Sequence, residues 1–185
     1  MDKLKVLGIV GSVRKESYNR KLMVAAGELL PEGMELEIVG ISDIPIYNED
    51  MLEAGPPESV LKLKEKIAGA DALLIATPEY NWSIPGVLKN TIDWVSRPIN
   101  TTPLQGKPLA LMGATTGPWG TVRAQLHWRQ IFAYTNTYVL PQPQVFVNMC
   151  EGKFDAEGKL TDEATRGQVR KLLEALDVWT RRLGK

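Results

Sequence analysis

Residues 71–76 read Asp71-Ala72-Leu73-Leu74-Ile75-Ala76, apolar after the first position, and they run straight into a loop that opens Thr77-Pro78. An unbroken apolar run of strand length is what a parallel strand needs when helices cover both of its faces. Leu4-Lys5-Val6-Leu7-Gly8-Ile9-Val10 has nearly the same character and is expected to be the first strand. Working outward, residues 34–41 alternate as a less buried second strand and residues 107–113 form a fourth. Residues 137–140 with 145–147 form a broken fifth. Helical spacing fills the intervals: from the loop 11–19 to about residue 30, then 59–69, 86–96, 119–134 and a closing helix over 161–183. Pro31-Glu32-Gly33 stops the first of these helices.

Strands that alternate with helices predict an α/β fold with right-handed crossovers. Five such units suit a five-stranded parallel sheet of order 2-1-3-4-5 with helices on both faces, and residues 1–185 are expected to form one domain. In that order strands one and three are neighbours whose chains leave toward opposite faces. The crevice above their C-terminal ends is where ligands bind in open α/β sheets.

The 22 Lys+Arg balance 22 Asp+Glu, so the electrostatic footprint of a nucleic-acid binder is absent. One cysteine, Cys150, excludes an internal disulfide and any multi-cysteine metal site, and fits a reducing compartment; a cytoplasmic protein is expected. No export leader and no apolar run long enough for a membrane helix are read at the sequence level, so no membrane partner is expected. A single histidine, His127, leaves a multi-histidine metal site impossible and a Ser-His-Asp hydrolase dependent on that one residue.

The loop after strand one places Ser12, Arg14, Ser17 and Asn19 within eight residues at a helix start. Two readings fit. Hydroxyls, an amide, a guanidinium and helix N–H groups could converge on a phosphate. Alternatively, Ser17 or Asn19 only caps the helix while Arg14 lies in solvent. Neither Gly-x-Gly-x-x-Gly nor a Gly-x-x-x-x-Gly-Lys-Ser/Thr loop is present. The loop after strand three, Thr77-Pro78-Glu79-Tyr80-Asn81-Trp82-Ser83-Ile84-Pro85-Gly86, has two prolines to stiffen it and two aromatics to face a flat ring. It could seat a flavin, or its aromatics could pack on a neighbour or on a second subunit. Past strand four, Thr115, Thr116 and Gly117 offer backbone N–H groups that a ligand can approach closely. Arg123 could pair on the surface or across a subunit contact. His127 reads as a packed or surface residue before a catalyst, and Cys150, with nothing nearby to activate it, as inert.

Gly11-Ser12-Val13-Arg14-x-x-Ser17-x-Asn19 and Pro78-Glu79-Tyr80-Asn81-x-Ser83-x-Pro85-Gly86-x-Leu88-Lys89-Asn90-x-Ile92-Asp93-Trp94 together resemble the paired signatures of the NADPH-dependent FMN reductase family, in particular the bacterial quinone and chromate reductases. The resemblance implies a flavodoxin-like fold that holds FMN noncovalently, with NADPH or NADH as co-substrate, in a homodimer or homotetramer. It implies that Ser12, Arg14, Ser17, Tyr18 and Asn19 hold the phosphate and ribityl end, that Pro78, Glu79, Tyr80, Asn81 and Trp82 line the ring, and that residues 115–117, Thr115 and Gly117 among them, cover its other edge. Two departures bear on substrate preference: Trp82 stands where relatives often carry tyrosine, and Thr121 where many carry a second glycine.

The cofactor would carry the chemistry, so no catalytic side chain is expected. A ping-pong cycle follows, with hydride from NAD(P)H and then two electrons to quinones, flavins, azo compounds or chromate. Backbone donors of the Glu79–Trp82 rim or of the 115–117 turn would stabilise the charge that develops on the ring. The rivals are a flavodoxin-like one-electron carrier and a serine hydrolase. The balanced charge speaks against the first, and the lack of a Gly-x-Ser-x-Gly elbow against the second.

Overall fold

The computed structural model describes residues 3–184. In chain order the elements are β1 (Leu4–Val10), α1 (Tyr18–Glu28), β2 (Met34–Val39), α2 (Glu49–Ala54), α3 (Glu58–Gly69), β3 (Ala72–Ala76), α4 (Gly86–Val95), β4 (Pro108–Ala114), α5 (Val122–Tyr134), β5 (Tyr138–Val139), β6 (Val145–Val147) and α6 (Glu163–Leu183). The sheet is parallel throughout, in the order β2-β1-β3-β4-β5 with β6 also on β4. This is the flavodoxin-like arrangement expected from the sequence.

Period-two alternation explains why β3 must be apolar at every position. Leu74 and Ala76 point into the layer that α1 and α6 cover with Leu22, Met23, Leu172 and Leu176, while Leu73 and Ile75 point into the opposite layer against Val60, Ile67, Leu88 and Trp128. All five β3 residues are buried. Gly8 lets α1 lie close on β1, since a Cβ there would sit 2.7 Å from the Met23 sulfur.

Three expectations are revised. Among the described residues the sheet has six strands, not five: β5 pairs with Pro108 and Leu109 of β4, and β6 with Met112, Gly113 and Ala114, so two short strands share one edge position. Pro141 and Pro143 between them have no N–H to donate, which prevents one continuous ladder. The fourth predicted helix begins at Val122 instead of Trp119, because Gly120 (φ 63°) and Thr121 (φ 70°) are left-handed and cannot be helical. The short α2 has no predicted counterpart. It buries no residue, and its cap, Asn48 accepting from the Asp50 N–H at 2.8 Å, is local.

Candidate active site at the sheet switch point

β1 and β3 are adjacent, and Gly11 continues their ladder by donating its N–H to the Ala76 carbonyl at 2.8 Å. The loops that follow them therefore start side by side. A Cβ at Gly11 would lie 2.8 Å from Leu88 and 3.3 Å from Pro78, so this approach requires glycine. A cavity of about 130 Å³ opens between the loops, lined by Ser12, Arg14, Ser17, Tyr18, Asn19, Pro78, Glu79, Tyr80, Ala114, Thr115 and Thr116. Arg14 and Tyr80, 66 positions apart in the chain, thus wall one cavity at the crevice where the strand order reverses.

At one end, Ser17 caps α1 by accepting from the Arg20 N–H at 3.3 Å. A helix leaves its first N–H groups without intrahelical acceptors, and those of Tyr18 and Asn19, on residues that line the cavity, have no protein acceptor among the described residues. Arg14 is turned back, donating from Nε (3.1 Å) and Nη2 (2.6 Å) to the Glu16 carbonyl, with its guanidinium 5.7 Å from the Tyr18 ring. This end is rich in donors and carries one positive charge, that of Arg14. Among the described residues, the only acid that lines the cavity, Glu79, stands on the other loop. Such a set suits a phosphate.

Asn19 and Glu79 do more than line the cavity. The buried Asn19 amide donates to the Ala114 carbonyl and accepts from the Ala114 N–H, both at 2.9 Å, pinning α1 to the end of β4. Glu79 reaches across to α5, whose own N-cap residue, Thr121, makes no side-chain cap bond. Its Oε2 accepts from the Ala124 N–H at 3.0 Å and its Oε1 lies 3.7 Å from Arg123 Nη1. The carboxylate is therefore a cap supplied from 45 residues away, placed where the helix dipole favours it.

Beyond Glu79 the rim closes in a two-residue hairpin. Tyr80 and Ser83 exchange backbone bonds of 3.1 and 2.9 Å, and Asn81 (φ 49°) and Trp82 (φ 63°) sit left-handed between them. That turn normally recruits glycine at its second central position, so a tryptophan there is strained backbone. The turn places Asn81 and Trp82 outside the cavity's lining, exposed at its mouth. Gly117 is likewise not among the lining residues, but its missing Cβ faces open space, with only the Thr115 hydroxyl within 4 Å, at 3.7 Å. The 115–117 turn is held from behind: Cys150 donates its N–H to the Thr115 carbonyl and Met149 to that of Gly117, each at 3.1 Å. Burial pushes the Cys150 thiol up to about 11, so it stays neutral.

The rest of the second motif is scaffold. Asn90 accepts from the Tyr47 N–H and donates to the Pro45 carbonyl, which also takes the Trp94 indole N–H. Ser83 and His127 lie 2.9 Å apart, a further tie between rim and α5. The Glu79 cap and this pair were not read from the sequence, because each joins residues more than 40 apart with no periodicity to mark it. Among the described residues no helix is long and apolar enough to cross a membrane, and no group of three or more His, Cys, Asp or Glu side chains is placed to hold a metal ion.

A family model described as NADPH-dependent FMN reductase matches residues 4–152, covering both loops and the whole sheet. The chain belongs to that family. It is 48% identical over 182 residues to an NAD(P)H-dependent FMN reductase of Pseudomonas aeruginosa, covering 98% of each chain. It is 39% identical to a 2-hydroxy-1,4-benzoquinone reductase of a Burkholderia species, covering 96% of this chain and 97% of the relative. Among solved structures, the flavoenzyme NAD(P)H:(acceptor) oxidoreductase of Paracoccus denitrificans superposes with a TM-score of 0.89 at 36% identity, covering 97% of this chain and 98% of that one. The donor-rich end and the stiff rim, found here in one cavity, are the features by which an FMN reductase of this fold would hold a phosphate-tailed planar cofactor.

Proposed function

We propose that the chain is an FMN-dependent NAD(P)H oxidoreductase of quinones, one flavodoxin-like unit over residues 1–185 working in the cytoplasm. The observation that carries this reading is the shared cavity of Arg14 and Tyr80. FMN, when bound, supplies the redox chemistry: a hydride from NAD(P)H and then two electrons to the acceptor, with the net balance NAD(P)H + H⁺ + quinone → NAD(P)⁺ + hydroquinone.

The residues' task is to bind and orient. Ser12, Arg14, Ser17 and the N–H groups of Tyr18 and Asn19 hold the phosphate end. Pro78, Glu79, Tyr80, Asn81 and Trp82 form the rim of the ring site, and the turn of Thr115, Thr116 and Gly117 meets its other edge with the Thr116 N–H, since those of Thr115 and Gly117 already donate to the Val147 carbonyl (2.9 Å) and the Thr115 hydroxyl (3.2 Å). The turn is fixed before any ligand arrives, because β6 and the segment at Met149 and Cys150 brace it; a donor that need not reorganise stabilises developing charge best. No side chain has to move a proton, which fits the exposed setting of His127. Flavins, azo compounds and chromate are further acceptors that an open redox site can reach.

The decisive experiment is to load the purified chain with FMN, measure its binding ratio, and follow NAD(P)H oxidation with a quinone. One FMN per chain and parallel double-reciprocal lines are expected. FMN binding without NAD(P)H oxidation would make the chain a carrier, and lack of FMN binding would end the flavin reading. We also infer a homodimer or homotetramer. A cleft of about 620 Å³ between α4 and α5, lined in part by Ile84, Ile92, Ile131 and Tyr134, leaves apolar surface that a second copy can cover, and a monomer mass at all concentrations in light scattering would refute it.

A further inference from the structure

Two exposed indoles from different loops gather on one side chain at the mouth of the cavity. The Arg123 guanidinium lies 4.1 Å from the centroid of the Trp82 ring, on the β3–α4 rim, and 5.3 Å from that of Trp119, on the β4–α5 turn. The two rings remain 67% and 60% exposed, so burial does not account for their being held there. The backbone beneath them is left-handed at Asn81, Trp82, Gly120 and Thr121, three of the four without a glycine's freedom. Strain of this kind persists where the surroundings over-determine it, as at ligand clamps.

The charge at this stack decides what it can recognise. Arg123 faces Glu79 at 3.7 Å, and Glu79 is itself only 9% exposed and fixed on α5. With its charge matched by that carboxylate and its faces turned to indoles, Arg123 serves as a post for aromatic surfaces more than as an anion receptor. Trp82 lies two residues beyond Tyr80, and Trp119 three beyond Thr116, both of which line the cavity.

Resting on the flavin reading above, we propose that Trp82, Arg123 and Trp119 form a specificity wall at the mouth, selecting flat, uncharged aromatic acceptors such as bicyclic quinones over compact anionic ones. A flat ring gains stacking and apolar contact on exposed indole faces, while an octahedral or tetrahedral anion gains neither and meets a guanidinium already paired. The wall acts on acceptor binding and leaves the upstream hydride step alone.

The test uses the FMN-loaded enzyme with saturating NADPH and two acceptors: 2-methyl-1,4-naphthoquinone, which takes two electrons, and ferricyanide, of which two ions each take one. Trp119→Ala is expected to raise the naphthoquinone KM at least fivefold while the ferricyanide kcat/KM, the FMN ratio and the anaerobic rate of flavin bleaching by NADPH stay within twofold. Trp119→Phe should restore most of the quinone KM. An unchanged quinone KM in Trp119→Ala would overturn the wall, and so would equal losses with both acceptors, which would make Trp119 merely structural. In Arg123→Gln, a ferricyanide KM that rises more than the quinone KM would overturn it as well, marking an anion site instead. A wild-type chain that binds no FMN would remove the flavin reading and the wall with it, whereas an active wild type with an indifferent Trp119→Ala removes the wall alone.

Discussion

The two ends of the cavity are built in opposite ways. The donor-rich end is made within one stretch, Gly11 to Asn19: Ser17 caps the helix that follows it, and Arg14 folds onto a carbonyl two residues on. The rim is made by reaching: Glu79 onto α5, Ser83 onto His127, Trp82 onto Arg123. Local capping fixes a backbone from within its own stretch and tolerates change elsewhere. A rim braced from distant residues holds a strained turn only while the whole fold stands. On the proposed reading, anion binding would rest on a few adjacent residues, whereas recognition of the ring and of its acceptor would be shared among three loops.

Asn19 is the exception at the local end, and removing it should give the largest effect. Asn19→Ala leaves the Ala114 N–H and carbonyl buried without partners, and should cost about 2–4 kcal/mol in urea unfolding. A loss below about 1 kcal/mol would mean the two loops do not depend on this amide. Arg14→Ala comes next: FMN affinity should fall by about 1.5–3 kcal/mol, roughly 10- to 150-fold in Kd by fluorescence titration, with unfolding of the FMN-free chain unchanged because its partner is an exposed carbonyl. A loss of stability instead of affinity would reverse the assignment.

At the rim, Glu79→Ala should lower stability by about 1 kcal/mol through the uncapped α5, and should weaken FMN less than Arg14→Ala does. Equal weakening would show that the brace and the phosphate contact are not separable.

The last effect, behind the turn at Cys150, is absent at neutral pH and emerges only in alkaline solution. Its thiol is an acid whose folded pKa is raised from 9.0 to about 11, so the unfolded chain ionises first as pH rises. Its contribution to stability is complete below about pH 9 and lost between there and about 11. Urea midpoints of the wild type should therefore fall more than those of Cys150→Ala over that interval, and parallel curves would refute the buried thiol.

The strands were legible because burial on both faces writes itself into composition. Leu73 and Ile75 face one layer, Leu74 and Ala76 the other, and no polar residue can intervene. The donor-rich end was legible because Ser12, Arg14, Ser17 and Asn19 are close in sequence, and of the two readings of Ser17 the structure shows the cap on α1. The divided edge strand was visible as a break, but not as two strands on one neighbour. The left-handed Asn81-Trp82 turn was hidden because it lacks the glycine that usually signals it, and Thr121 because its buried hydroxyl accepts from Gln125 in place of capping α5.

Order of elements, sheet direction and the pairing of two loops at the switch point followed from the sequence by itself, since periodicity and handedness are properties of the chain that any fold must respect. Only the tertiary structure decided what Asn19, Glu79, Ser83 and Arg123 do. Each meets a partner tens of residues away, and which of many possible partners a polar side chain finds is settled by the packing of helices on the sheet, where an unmet buried group is too costly to leave.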